Sequence, residues 1–145
     1  MESERSIVYI CAPYGDATDD RIKENIQKAE TLGRVARDKG FAPIVVHSNV
    51  AMLFGDDRDP ELRTIGLECN LAVAAAVADS GGSLWAVFRD DHSLSEGCSM
   101  EVVEFTNRLM RIATDQCLTK VETELLIEER ILSGTWAEWI SRSVI

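Results

Sequence analysis

The N-terminal third of the chain alternates between two short apolar runs and one long amphipathic stretch, and this pattern constrains the fold most. Ile7 to Cys11 is a β-branched run that ends at Ala12-Pro13, which predicts a buried strand followed by a loop. Thr18 to Lys39 carries apolar residues at helical spacing and acids in its first turn, with Gly40 as the stop. Phe41 to Val46 predicts a second strand. Two strands joined through a helix form a βαβ unit with parallel strands and a right-handed crossover.

The alternation resumes after the segment between Met52 and Asp59, which is predicted as a loop or a broken helix. Asp59-Pro60-Glu61 provides a capping side chain, a proline at the first helical position and an acid in the first turn, so a helix should run to about Ala78. Leu84 to Phe88 predicts a third strand, and apolar residues at helical spacing predict another helix from about Ser99. This order indicates an α/β fold with a parallel sheet.

The C-terminal part of the chain is predicted as a helical extension, with helices over Thr119 to Leu132 and Thr135 to Ser143. At 145 residues the chain has the length of one domain, with a core of about 5–113 and a helical segment of about 117–145. We therefore predict a single three-layer Rossmann-like domain, a parallel sheet flanked by helices. Such sheets bind ligands beyond the C-terminal ends of their strands. Residues 9–16, His47 and residues 89–101 should meet there.

The charge balance restricts the class of ligand. Fifteen Lys and Arg against 25 Asp and Glu give a net charge of -10, which repels DNA and RNA but permits a mononucleotide, since one phosphate needs only a few local donors. No segment approaches the ~18 continuous apolar residues of a membrane span. The polar N-terminus lacks the features of a leader, so we expect a cytoplasmic protein. The four cysteines are widely spaced, which predicts reduced thiols and neither a metal site nor a cofactor.

The segment most typical of a ligand site is Ser95-Glu96-Gly97-Cys98-Ser99-Met100-Glu101. Gly97 lets backbone N–H groups approach an anion at the start of a helix, and the hydroxyl groups of Ser95 and Ser99 add donors. Glu101 is predicted in the first turn, close to a bound phosphate. A carboxylate near an anomeric carbon can stabilise or capture the oxocarbenium-like centre that forms when an N-glycosidic bond breaks.

At these residues the sequence resembles the nucleoside 2-deoxyribosyltransferase-like superfamily, including its 2'-deoxynucleoside 5'-phosphate N-hydrolase branch. The resemblance extends from about Ile7 to Phe105. It rests on Val8-Tyr9-Ile10-Cys11-Ala12-Pro13, on Glu24-Asn25-Ile26, and on the Ser-x-Gly-x-x-x-Glu spacing that ends at Glu101.

The resemblance implies roles for three side chains. Glu101 would be the nucleophile, Tyr9 would help to position it, and Ser95 would bind a 5'-phosphate. Transferases of this superfamily carry Asp at the position of Ser95, so the resemblance favours hydrolysis over transfer of the sugar. It also implies a homodimer or a larger homo-oligomer, whose contacts Trp136 and Trp139 would suit.

The acid/base residue stays open, because the Asp that superfamily members carry in the helix before the third strand is replaced here. Glu68, Asn70 and Asp79 are the candidates for its role. Pro13 also replaces a Ser of the hydrolase branch. The remaining candidates for binding substrate are Ala12, Pro13, His47, Asp91, Cys98 and Ser99, and the predicted cationic partners of a phosphate are Arg63 and Arg89.

Two further functions are compatible with the sequence. A phosphoribohydrolase of the cytokinin-activating type also places a Glu shortly after a glycine turn, but only half of its PGGxGTxxE signature is present here. A catalytically silent nucleotide-binding or signalling module would explain the replaced Asp.

Overall fold

A parallel four-stranded sheet forms the centre of the computed structural model, which describes residues 4–13, 19–46, 59–89 and 92–135. The strands are ordered β2-β1-β3-β4, and each neighbouring pair runs parallel. Along the chain the elements are β1 (Ile7–Cys11), α1 (Asp19–Asp38), β2 (Ala42–Val45), α2 (Pro60–Asp79), β3 (Ser83–Phe88), α3 (Glu96–Asp115), α4 (Lys120–Arg130) and β4 (Ile131–Thr135). The predicted Rossmann-like α/β fold is confirmed.

Side chains of β1 point alternately to the two faces of the sheet and so belong to two separate cores. Val8 and Ile10 pack with the buried residues of α1 on one face. Tyr9 and Cys11 pack on the other face, among buried residues of α2 and α3 and partly buried residues of α4. Among the described elements, α1 covers one face of the sheet, and α2, α3 and α4 lie on the other.

The strand order places a topological switch point between β1 and β3. The connection from β1 runs to β2 on one side through α1, whereas the connection from β3 runs to β4 on the other side through α3 and α4. β1 and β3 are paired side by side, with Cys11 opposite Ala86. Because the two connections diverge beyond the strands, a crevice for a ligand is expected at this point.

The bounds predicted for the first five elements agree with the structure to within one residue. The residues that were expected to start and stop them do so: Gly40 ends α1 with a φ of +96°. The Asp59 side chain accepts hydrogen bonds from the backbone N–H groups of Glu61 and Leu62 at the start of α2. The predicted loop or broken helix before α2 lies mostly outside the described residues.

The predicted helical C-terminal extension is confirmed in α4, but the predicted end of that helix is wrong. The helix predicted to reach Leu132 ends at Arg130, and the chain continues as β4, an edge strand paired with β3. The Arg130 guanidinium donates from Nε to the Gly82 carbonyl at 2.7 Å and from Nη2 to the Ala78 carbonyl, so it fixes the end of α4 beside the start of β3. Residues 136–145, which include the rest of the second predicted helix, lie outside the described residues. In the described ranges, no helix is both long and apolar enough to cross a membrane.

Candidate functional site

The helix that carries the candidate site begins earlier than the sequence suggested. α3 starts at Glu96 with Ser95 as its N-cap, three residues before the predicted start at about Ser99. Ser95 Oγ accepts the backbone N–H of Cys98 at 3.2 Å, which is why the helix begins there. Glu101 consequently lies in the second turn of α3 and not in the first. Helix side chains tilt toward the N-terminus of their helix, so the Glu101 carboxylate still extends back toward the first turn.

Glu101 is a buried carboxylate. Its side chain is only 3% exposed and lies on the inner face of α3, together with Cys98 and Phe105. Tyr9 and Cys11 reach the same core from β1, and both are fully buried. The structure therefore brings together Tyr9 and Glu101, as the resemblance implied.

Burial raises the pKa of Glu101 above its ordinary value of 4.5, because the charged form loses its hydration. The side chains of Cys11, Tyr9 and Asn70 oppose this shift, since each can donate a hydrogen bond to the ionised carboxylate. In the described part of the chain, no Lys, Arg or His is among the groups that shift this pKa. A buried carboxylate without a cation is costly, and a positive charge placed beside it would lower that cost.

Two polar atoms in this cluster have no hydrogen-bond partner among the described residues. They are the Tyr9 hydroxyl and Oε2 of Glu101. Burial is the main reason why the pKa of Tyr9 lies well above 10.0, and the nearby Glu101 carboxylate adds to it. Tyr9 therefore stays protonated at neutral pH and retains a donor. Buried polar groups normally find partners, so this donor and this acceptor are available to a water molecule or a ligand.

The three candidates for the acid/base residue lie in different places. Asn70 is buried on α2 and faces Glu101. Glu68 lies two residues away on the exposed side of the same helix. Asp79 is the last residue of α2, at the edge of the sheet where β3 begins, with its carboxylate 4.0 Å from the guanidinium of Arg108. Only Asn70 is near Glu101, and its amide has no acidic proton to transfer.

The first turn of α3 offers donors to an anion, but not all of the predicted ones. The Ser99 N–H donates to the Ser95 carbonyl at 2.8 Å, so the backbone of Ser99 is not available to an anion. The backbone N–H groups of Glu96 and Gly97 lie in the first turn, where a helix offers them no acceptor, so they can donate to an anion. Because Ser95 Oγ acts as the acceptor in the cap, its O–H proton can still be donated.

The space beside Gly97 is open. Apart from its two chain neighbours and the backbone of its own helix, no atom of the described residues lies within 4 Å of the point where a Cβ at this position would stand. Packing therefore does not demand glycine here, and φ at this position is not in the left-handed region that favours glycine. A ligand that approaches the backbone closely would demand it.

Arg63 forms an ion pair at this helix terminus. It extends from the first turn of α2, and its guanidinium lies 3.6 Å from the carboxylate of Glu96. Both side chains are exposed. Arg89, the other predicted cation, is also exposed, and its backbone holds the loop after β3 through bonds with Ser93 and His92.

The remaining predicted residues divide into two groups. Ala12 is buried and Pro13 is half-buried directly after β1, and Cys98 is buried in the first turn of α3. His47, Asp91, Trp136 and Trp139 lie outside the described residues. Among the described residues, no group of His, Cys, Asp or Glu is arranged to hold a metal ion.

Cys11, two residues after Tyr9, was not predicted from the sequence to lie near the Glu101 carboxylate. The signal was present, because residues two apart on a strand share a face. A chemical role for Tyr9 therefore placed Cys11 on the same face as Glu101.

A family model matches residues 6–115, which is most of the chain and includes every element from β1 to α3. The family is a domain of unknown function, DUF7768. The chain belongs to this family. Comparisons with curated proteins and with solved structures give no match. The DUF7768 match ends at the last residue of α3, so it contains the whole candidate site and excludes α4 and β4.

Proposed function

We propose that this DUF7768 protein is an N-glycosidase that hydrolyses the bond between base and sugar in a nucleoside 5'-monophosphate or a deoxynucleoside. The observation that carries the proposal is Glu101, a buried carboxylate with no cation among the described groups that shift its pKa. Cleavage of an N-glycosidic bond creates positive charge on the sugar, and this carboxylate would stabilise that charge.

The first turn of α3 supports a phosphorylated substrate. Ser95 would donate its O–H, and Glu96 and Gly97 would donate their backbone N–H groups to the phosphate. Arg63 lies close enough to this terminus to exchange its contact with Glu96 for one with the ligand. The phosphate would then lie at the helix terminus, and the sugar would extend toward Glu101.

In this mechanism Glu101 attacks C1' or stabilises its cation while the base departs with the electron pair of the C1'–N bond. A water molecule then bonds to C1', displaces Glu101 where the two had bonded, and gives up a proton, while the departed base takes up a proton from solvent. The Tyr9 hydroxyl, which has no hydrogen-bond partner in the described part of the chain, would orient the carboxylate once a ligand or water fills the crevice. Asn70 would hold Glu101 through its amide and would not transfer a proton.

The second candidate is a nucleotide-binding module without catalysis, and Asn70 is the observation that favours it. An amide beside the carboxylate is compatible with binding, but it cannot protonate a departing base.

A panel of nucleosides and nucleoside 5'-monophosphates separates the two candidates. We expect the pure protein to release free base, resolved by chromatography, from at least one monophosphate. If no substrate yields base while a monophosphate raises the melting temperature, the N-glycosidase proposal fails and the binding module replaces it.

A further inference from the structure

Cys11 lies where β1 meets the candidate site. It is the last residue of the strand, it is fully buried, and it shares a face of the sheet with Tyr9. Its strand partner is Ala86 of β3, so it stands directly at the switch point. A residue at this position can reach both the crevice and the helix that packs over it.

The inner face of α3 presents two polar side chains to Cys11. Cys98 and Glu101 are three residues apart and therefore neighbours on the helix surface. Both are buried, with exposed fractions of 2% and 3%. Cys11 packs in the same buried core as Cys98 and Phe105, two residues of α3 that share its inner face with Glu101, so its thiol faces the turn that carries the carboxylate.

The chemical state of Cys11 follows from its burial. Burial raises the pKa of this thiol well above 9.0, and the neighbouring Cys98 and Glu101 side chains add to the shift. The group therefore remains S–H at neutral pH, which makes it a poor nucleophile and a standing hydrogen-bond donor. All four cysteines of the chain are free thiols.

We propose that Cys11 is a positioning residue, whose thiol donates a hydrogen bond to the Glu101 carboxylate and holds it in its ionised form at the crevice between β1 and β3. The donor acts on the charged form only, because a protonated carboxyl group is a weaker acceptor. The role in catalysis rests on the proposed function, whereas the effect on Glu101 does not.

The test is a carbon-13 NMR titration of the Glu101 carboxyl group in the whole protein, with its resonance assigned from Glu101→Gln. Cys11→Ala removes the donor, and Cys11→Ser replaces it with a hydroxyl group. Cys98→Ala is the matched control, because Cys98 is not among the groups that shift the Glu101 pKa. We expect a resolvable rise of the Glu101 pKa in Cys11→Ala and no rise in Cys11→Ser or Cys98→Ala. Should Cys11→Ala not fold, Cys11→Val fills the volume without a donor and must give the same rise.

An unchanged pKa in the variants without a donor overturns the proposal, and so does an equal rise in Cys11→Ser or Cys98→Ala. Base release provides a second readout, because the rate should fall as Glu101 becomes protonated. The acid side of the pH profile should move to higher pH in Cys11→Ala and stay in place in Cys11→Ser. A pKa rise in a protein that releases no base would retain the role of Cys11 and reject the N-glycosidase.

Discussion

Replacing Ser95 with alanine should weaken both the start of α3 and the binding of phosphate, and the two effects can be measured separately. The lost contact is the one from Ser95 Oγ to the Cys98 N–H at 3.2 Å. Loss of such a cap costs about 1 kcal/mol. An unfolding entropy of about 2.1 cal/mol/K per residue, taken over 145 residues, gives about 0.3 kcal/mol/K. The melting temperature should therefore fall by about 3 °C.

The binding effect depends on the ligand. A hydrogen bond to a charged group contributes about 1.5–3 kcal/mol, so a nucleoside 5'-monophosphate should bind about 10- to 150-fold more weakly to Ser95→Ala. The parent nucleoside has no phosphate and should bind as it does to the unchanged protein. Calorimetric titration with both ligands measures this difference.

Two variants separate the cap from the phosphate contact. Ser95→Asp keeps a good N-cap, so its melting temperature should stay close to that of the unchanged protein, but its carboxylate repels phosphate. Thr119→Ala removes the cap of α4, where Thr119 Oγ1 accepts the Glu122 N–H at 3.2 Å, and should lower stability without changing ligand affinity. The reasoning is refuted if Ser95→Asp binds the monophosphate normally, or if Ser95→Ala weakens nucleoside and monophosphate equally.

Three more substitutions test the cluster. Glu101 has a raised pKa in the folded state, so its carboxyl group favours folding below pH 4.5, and this contribution to stability is lost as pH rises through the raised pKa. The stability of Glu101→Gln relative to the unchanged protein should therefore increase from about pH 4 to pH 7. Urea unfolding measures this difference, and a difference that stays constant with pH contradicts the prediction. Tyr9→Phe removes a buried hydroxyl that has no hydrogen-bond partner among the described residues, and it should raise the free energy of unfolding by about 1 kcal/mol while slowing base release. A loss of stability would mean that the hydroxyl is bonded. Gly97→Ala meets open space and should keep or slightly raise the melting temperature, yet it should weaken monophosphate binding; normal binding would show that no ligand approaches there.

The sequence predicted the elements whose signals are local. Gly40 and Asp59 mark helix ends through their own backbone or side chain, and both positions were predicted correctly. β4 was not predictable in this way. Its sequence, Ile-Leu-Ser-Gly-Thr, is a weak strand signal, and its conformation depends on pairing with β3 and on Arg130, which bonds to Gly82 across 48 residues of sequence.

Within the site, periodicity predicted part of the arrangement. The Ser95 to Glu101 segment was predicted as the site, but its glycine was placed before the helix, which moved Glu101 one turn too near the N-terminus. The sequence of α2 could not show whether Asn70 or Asp79 lies near Glu101. Both faces of this helix are largely apolar, so its hydrophobic pattern does not indicate which face is buried. The position of Asn70 beside Glu101 became visible only when α2 and α3 were packed together.

The measurement that tests the central claim most directly is the rate of base release from a nucleoside 5'-monophosphate by the unchanged protein and by Glu101→Gln. The amide has the shape of the carboxylate but can neither attack C1' nor neutralise a cation. The account predicts release by the unchanged protein and a rate lower by several powers of ten in the variant, with monophosphate affinity largely retained. Equal rates in the two proteins would contradict the role of Glu101 and the mechanism built on it.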